Sequence, residues 1–197
     1  MKNALRFLLV ALIFASLLAF SSCVWFDNFA GRVCSSEGLK FTSNGDGTCS
    51  VSGIYGYCME VVIPTKSPAG DVVTSIRDRV FYESSTLRSV VIPDSVTSIG
   101  ELAFSSCSSL TSIEIPDSVT SIGSDAFQSC SSLTSIEIPD SVTSIGDYAF
   151  QSCSSLTRID FGGTKVQWNN VSKGYAWNNG TARYTVYCTD GQIGKYE

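Results

Sequence analysis

The sequence predicts an α/β parallel solenoid, in which short strands and short helical turns wind into stacked coils. Two observations predict this fold, and a third bounds the function. First, Val90 to Ser112, Ile113 to Ser135 and Ile136 to Arg158 repeat with a period of 23 residues, and the last two copies differ at only three positions. Second, each copy carries its apolar residues at the same places, and a single coil of this size cannot bury them alone, so the copies must stack. Third, no histidine occurs in the 197 residues, which removes Ser-His-Asp and Cys-His catalysis and most zinc sites. Near-identical copies present the same side chains along a stack, whereas catalysis needs different groups converging on one point. The chain therefore reads as a surface rather than a pocket, with no catalytic residues, no metal ligands and no cofactor.

Residues 1–22 read as a signal peptide. Lys2 and Arg6 precede a run from Phe7 to Phe20 in which only Ser16 is polar, and small residues follow. That run is too short for a hydrocarbon core, which needs about 20 apolar residues. The stretch Leu18 to Cys23 resembles the lipobox of bacterial lipoproteins, with Phe20 where an aliphatic residue is usual. The resemblance implies lipidation of Cys23, and so attachment to a membrane by a lipid anchor only, with free secretion as the alternative. From Cys23 onward the chain carries 11 Lys and Arg against 18 Asp and Glu, a net charge of −7. That balance argues against nucleic acid as a partner.

Residues 23–60 form an N-terminal segment and hairpin cap. Leu39 to Thr42 and Cys49 to Val51 flank Asn44, Gly45, Asp46 and Gly47, a hairpin turn sequence. The further carboxylates of a calcium loop are missing from it. Cys34, Cys49, Cys58 and Cys188 lie outside the repeats and can form disulfides, with Cys49 and Cys58 the most local pair.

Residues 61–161 form the solenoid. In the second copy Ile113 and Ile115 alternate with Glu114, giving a short strand with the isoleucines inward. Pro116 ends it, for lack of a ladder donor. Asp117 and Ser118 suit a side-chain-bonded turn, so Asp94, Asp117 and Asp140 are expected to accept backbone bonds locally. A cation shared along that column is the competing reading. Val119 to Ile122 form a second extended piece, and Gly123 allows the reversal. Ser124 and Asp125 then stand as an N-cap would before one helical turn carrying Ala126 and Phe127 inward. Stacking places Phe104, Phe127 and Phe150 in one inner column. Cys107, Cys130 and Cys153 form another; equivalent residues about 4.8 Å apart with parallel Cβ vectors do not suit a disulfide, so these are free thiols used as small spacers. An earlier unit from Val61 is six residues longer than the others, its extra length looping out between Lys66 and Val73.

The string Ile115, Pro116, Asp117, Ser118, Val119, Thr120, Ser121, Ile122, Gly123, followed by Ala126, Phe127, Cys130, Leu133 and Ile136, resembles the BspA-like leucine-rich repeat over roughly Val61 to Phe161. The resemblance implies a leucine-rich-repeat solenoid on a bacterial or protozoan surface protein, several members of the family acting as adhesins. It does not imply a particular ligand or an oligomeric state.

Residues 162–197 form a C-terminal cap, in which Val166, Trp168, Val171, Tyr175 and Trp177 are expected to cover the final coil and Tyr184 to Cys188 to add a strand. The outward strand positions make the candidate binding face. Val62, Val91, Glu114, Glu137 and Asp160 lie on one line, with Ser89, Ser112, Ser135 and Arg158 beside it. Parallel strands of this kind line the concave face that solenoids use for binding. From Ser89 to Thr157 there is no Lys or Arg but there are eight acids, so a protein ligand with a basic patch suits this face. Two functions follow: a surface or secreted adhesin for host or neighbouring cells, or an envelope scaffolding or inhibitor protein.

Overall fold

The computed structural model describes residues 33–194; residues 1–22 and Cys23 lie outside them. Two short strands, β1 (Val33–Cys34) and β2 (Leu39–Ser43), lead into β3 (Thr48–Ile54). The coils then alternate two strands each: β4 (Glu60–Val62) and β5 (Val72–Ile76), β6 (Ser89–Val91) and β7 (Ser98–Ile99), β8 (Ser112–Glu114) and β9 (Ser121–Ile122), β10 (Ser135–Ile138) and β11 (Ser144–Ile145). β12 (Arg158–Phe161), helix α1 (Lys165–Asn170), β13 (Ser172–Lys173), β14 (Thr185–Cys188) and β15 (Gly191–Ile193) complete the chain.

One side of the stack is a seven-stranded sheet in the order β13-β11-β9-β7-β5-β3-β2. The other is divided into β1-β4-β6 and β15-β14-β12-β10-β8. Pairing is parallel and in step with the repeat, so that Ser98 faces Ser121 and Ser135 faces Ser112. Among the described strands β2 with β3 and β14 with β15 run antiparallel, one pair toward each end.

The expected helical turn is corrected by the structure. Ala126 and Phe127 do point inward and are fully buried, but the segment is not helical. Asp125 and Ser129 have φ of 54° and 58°, and their counterparts Leu102, Ser106, Tyr148 and Ser152 repeat the left-handed conformation at 55° to 62°. Alternating the backbone in this way aims every second N–H along the stack. The N–H groups of Asp125, Phe127 and Ser129 donate to the carbonyls of Asp147, Ala149 and Gln151, each at 2.8 Å. A helix would satisfy these groups within the coil; here the next coil satisfies them. The fold is thus a mostly parallel β-solenoid, and among the described residues α1 is the one α-helix.

Apolar columns fill the interior. Phe81, Phe104, Phe127 and Phe150 stack with ring centroids 5.0 to 5.3 Å apart and planes within 10° of parallel. Trp177 continues the column, edge-on to Phe150 at 6.1 Å. The column therefore begins a coil earlier than Phe104 and runs a coil beyond Phe150. Trp168 is buried against Phe161 and Trp177, with α1 held by a capping box between Thr164 and Gln167. Val171 is also buried, whereas Val166 and Tyr175 are exposed, contrary to expectation. Tyr175 lies at a corner, edge-on to Tyr148 at 5.5 Å.

Gly123 and Gly146 are required by space. A Cβ on Gly123 would come within 2.6 Å of the carbonyl carbon of Gly100, and one on Gly146 within 2.4 Å of the backbone nitrogen of Ser124. At this corner successive coils touch backbone to backbone.

Cys107, Cys130 and Cys153 are free and fully buried. Their thiols donate to the carbonyls of Phe81, Phe104 and Phe127 at 3.1, 3.1 and 3.0 Å. Burial pushes the Cys107 thiol up to about 12, and the Cys153 thiol, then burial, pushes Cys130 up as well. Thiols held protonated in this way are inert. Cys49 is free and buried, and Cys34 bonds to Cys58 with Cα atoms 5.8 Å apart. The local Cys49–Cys58 pairing is thereby corrected. β1 pairs parallel with β4, aligning Cys34 with Val61, and this brings Cys34 beside the residues preceding β4.

Phe127→Ala should cost about 3–5 kcal/mol in urea unfolding, as expected for a fully buried ring in a close-packed column. Gly146→Ala should lower the melting temperature, whereas Gly194→Ala, with nothing within 4 Å of its added Cβ, should not. Cys130→Ser, which keeps a donor for the Phe104 carbonyl, should be more stable than Cys130→Ala by about 1 kcal/mol.

Candidate functional site

The divided sheet presents the candidate face. Alternation along each strand turns one residue inward and its neighbours outward, so Val90, Ile113, Ile136 and Ile159 are buried while the flanking positions face away. Ser112, Ser135, Arg158 and Thr185 align in one outward row, and Glu114, Glu137, Asp160 and Tyr187 in the next. Val62 and Val91 are aligned with each other on the other piece of the sheet. β6 and β8 lie in separate pieces, with the Thr111 N–H reaching the Arg88 carbonyl at 3.4 Å. The change from exposed Val91 to exposed Glu114 falls at that division.

The charges on this face are ordered. Arg158 donates from Nε and Nη2 to the two carboxylate oxygens of Asp160, both at 2.6 Å. Its guanidinium also stacks on Tyr187, 4.1 Å from the ring centroid. The hydrogen-bonded carboxylate of Asp160 raises Arg158 above its usual value, burial opposing slightly. Asp160 is thus matched within its own coil, and Glu114 and Glu137 are held side by side by the parallel register. Tyr187 was placed by the sequence in a terminal strand rather than on this face. Its signal is the alternation Thr185-Val186-Tyr187, the same outward-inward-outward pattern as Ser112-Ile113-Glu114.

The repeated aspartates do not bond as expected. The turns after the strands are closed by backbone, with the N–H groups of Val96, Val119 and Val142 donating to the carbonyls of Pro93, Pro116 and Pro139. Side-chain bonds there come from serine. The hydroxyls of Ser95, Ser118 and Ser141 donate to the carbonyls of Val73, Val96 and Val119 in the preceding coil. Asp94, Asp117 and Asp140 stay exposed. Among the described residues no group of three or more His, Cys, Asp and Glu is placed to hold a metal ion.

A second acidic row lies at the corner, where Asp125 stands between Glu101 and Asp147. Burial, and then the charges of Glu101 and Asp147, raise the Asp125 carboxyl above the ordinary value of 3.8. Its charged form is therefore disfavoured in the fold, and the stability lost at neutral pH returns as pH falls through the folded value. Asp125→Asn should raise the melting temperature near neutral pH. The gain should vanish below the ordinary aspartate value of 3.8, as read by melting curves across pH.

Comparison with known proteins agrees with the geometry. The family model for the BspA type leucine rich repeat region (6 copies) matches residues 74–178. The fold is similar to the Treponema pallidum leucine rich repeat protein TpLRR, at TM-score 0.63 and 31% identity, covering 70% of this chain and 62% of that one. It is also similar to a leucine rich cell surface protein of Faecalibacterium prausnitzii, at TM-score 0.59 and 30% identity, covering 83% of this chain and 48% of that one. The chain thus spans less than two thirds of either protein. No curated protein matches it. With more than half of its length matched by the repeat model, the chain belongs to the BspA-type leucine-rich repeat family.

Proposed function

We propose that this is a non-enzymatic, exported repeat protein, lipid-anchored through Cys23, that binds protein ligands through its outward strand face and acts as an adhesin for host or neighbouring cells. The antiparallel pairs toward the two ends of the stack serve as caps, shielding terminal backbone and apolar side chains. The ligand presents a basic patch to Glu114 and Glu137, with the Arg158–Asp160 pair and Tyr187 fixing its position at the edge.

The observation that carries this reading is the in-register alignment of Glu114 with Glu137, beside Ser112 and Ser135. The Faecalibacterium prausnitzii protein is described as a cell surface protein, which supports exposure here. Family membership supports protein binding, since repeat stacks offer extended surfaces rather than enclosed sites.

An immobilised oligolysine peptide should retain the wild-type protein at low salt and release it as salt rises. Glu114→Gln with Glu137→Gln should lose most of that retention while staying folded by circular dichroism. Equal retention by the double variant would remove the strand face from the proposal. Protease added to intact cells should destroy the wild-type chain, and Cys23→Ala should lose lipid label. Protection until the envelope is opened would favour a scaffolding or inhibitor role inside it.

A further inference from the structure

Three exposed residues with apolar bodies stand close in the chain to one covalent link. Val33 is 44% exposed, Tyr55 55% and Tyr57 84%. Val33 adjoins Cys34 and Tyr57 adjoins Cys58, and those two cysteines are bonded to each other with Cα atoms 5.8 Å apart. Tyr55 is fixed beside them, its N–H donating to the Gly38 carbonyl at 2.9 Å. The Lys40 ammonium lies 4.7 Å from the Tyr55 ring centroid. Glu37 precedes β2, and Glu60 is in register with Val33, so the rim is of mixed charge and the centre aromatic and aliphatic.

The length of chain upstream says what covers this patch. Nine residues lie between Cys23 and Val33, and the ten steps from one to the other reach at most about 35 Å even when fully extended. A lipid on Cys23 therefore keeps the patch close to the bilayer surface. Tyrosines, with an apolar body and a polar tip, suit the level of the lipid headgroups.

We propose that Val33, Tyr55 and Tyr57 seat this end of the domain on a phospholipid surface, with Lys40 at the headgroup level. The inference rests on acylation of Cys23 and adds to it a second, non-covalent contact, which orients the domain instead of merely tethering it. The mixed rim makes this contact insensitive to the charge of the lipid, unlike a polybasic anchor.

The test uses the protein extracted with its native N-terminus and reconstituted into phosphatidylcholine vesicles. Tyr57→Trp serves as the reporter in a Trp25→Phe background, with Tyr175→Trp, 73% exposed at a distant turn, as the control. Phosphatidylcholine brominated close to the headgroup should reduce emission from the Tyr57→Trp protein and leave the Tyr175→Trp protein unchanged. Equal emission from both, or a Tyr57→Trp signal shielded only in dimers seen by light scattering, would overturn the proposal, the latter assigning the patch to a second copy of the chain. Mass analysis of the N-terminal peptide separates the two readings. An unacylated terminus would overturn the anchor and this proposal together, whereas an acylated terminus without quenching would overturn the docking alone.

Discussion

The hydrogen bonds that run along the stack, coil to coil, govern this structure. They occur in both sheets and also through the left-handed corners, so each coil supplies partners for the next over much of its perimeter. Such a ladder fixes the period. An added residue within the ladder would shift every later donor away from its acceptor, which is why the repeats hold 23 residues. Longer coils keep step by setting their extra residues outside the ladder, as in the small loop where the Ser67 N–H meets the Asp71 carbonyl and in the last coil, where Ser172 pairs with Ser144 across 28 residues that include α1. The close approach at Gly123 and Gly146 belongs to the same constraint, because a side chain there would hold neighbouring coils apart.

The columns were legible in the sequence because burial repeats with the coil. Phe104, Phe127, Phe150 and the isoleucines could be assigned inward from alternation and spacing alone. The corners were not legible. Ser124 and Asp125 before an apolar pair fit a capped helical turn as well as they fit alternating left-handed residues, since both place Ala126 and Phe127 inside. What separates the two is where the N–H groups find partners, and that depends on the neighbouring coil. The disulfide was missed for a related reason: Cys34 comes near Cys58 only through the pairing of β1 with β4, a contact that local spacing does not encode. The serine-for-aspartate exchange in the turns is a third case, in which an expected local bond gave way to one between coils.

On the strand face the same register that builds the core sets the chemistry outside. Whatever a repeat displays, its copies display again one strand spacing away, about 4.8 Å. Glu114 is therefore displayed again as Glu137, and in the following strand Arg158 stands where its counterpart is Ser135, folding onto Asp160 and Tyr187. A uniform acidic row thereby acquired a distinct end. Val62 and Val91 give the opposite end an apolar character, so the face has a direction along the stack.

The bond between Cys34 and Cys58 also determines how force enters the molecule. Tension on the chain upstream of Val33 passes through the two sulfurs to the start of the first coil. The intervening residues, with the β2–β3 hairpin, form a covalent loop that carries none of that load. A ligand pulling on the strand face would then strain the ladder between coils while the hairpin stayed folded. Reduction of that one bond would reroute the same tension through β2 and β3, making the hairpin the first element to open.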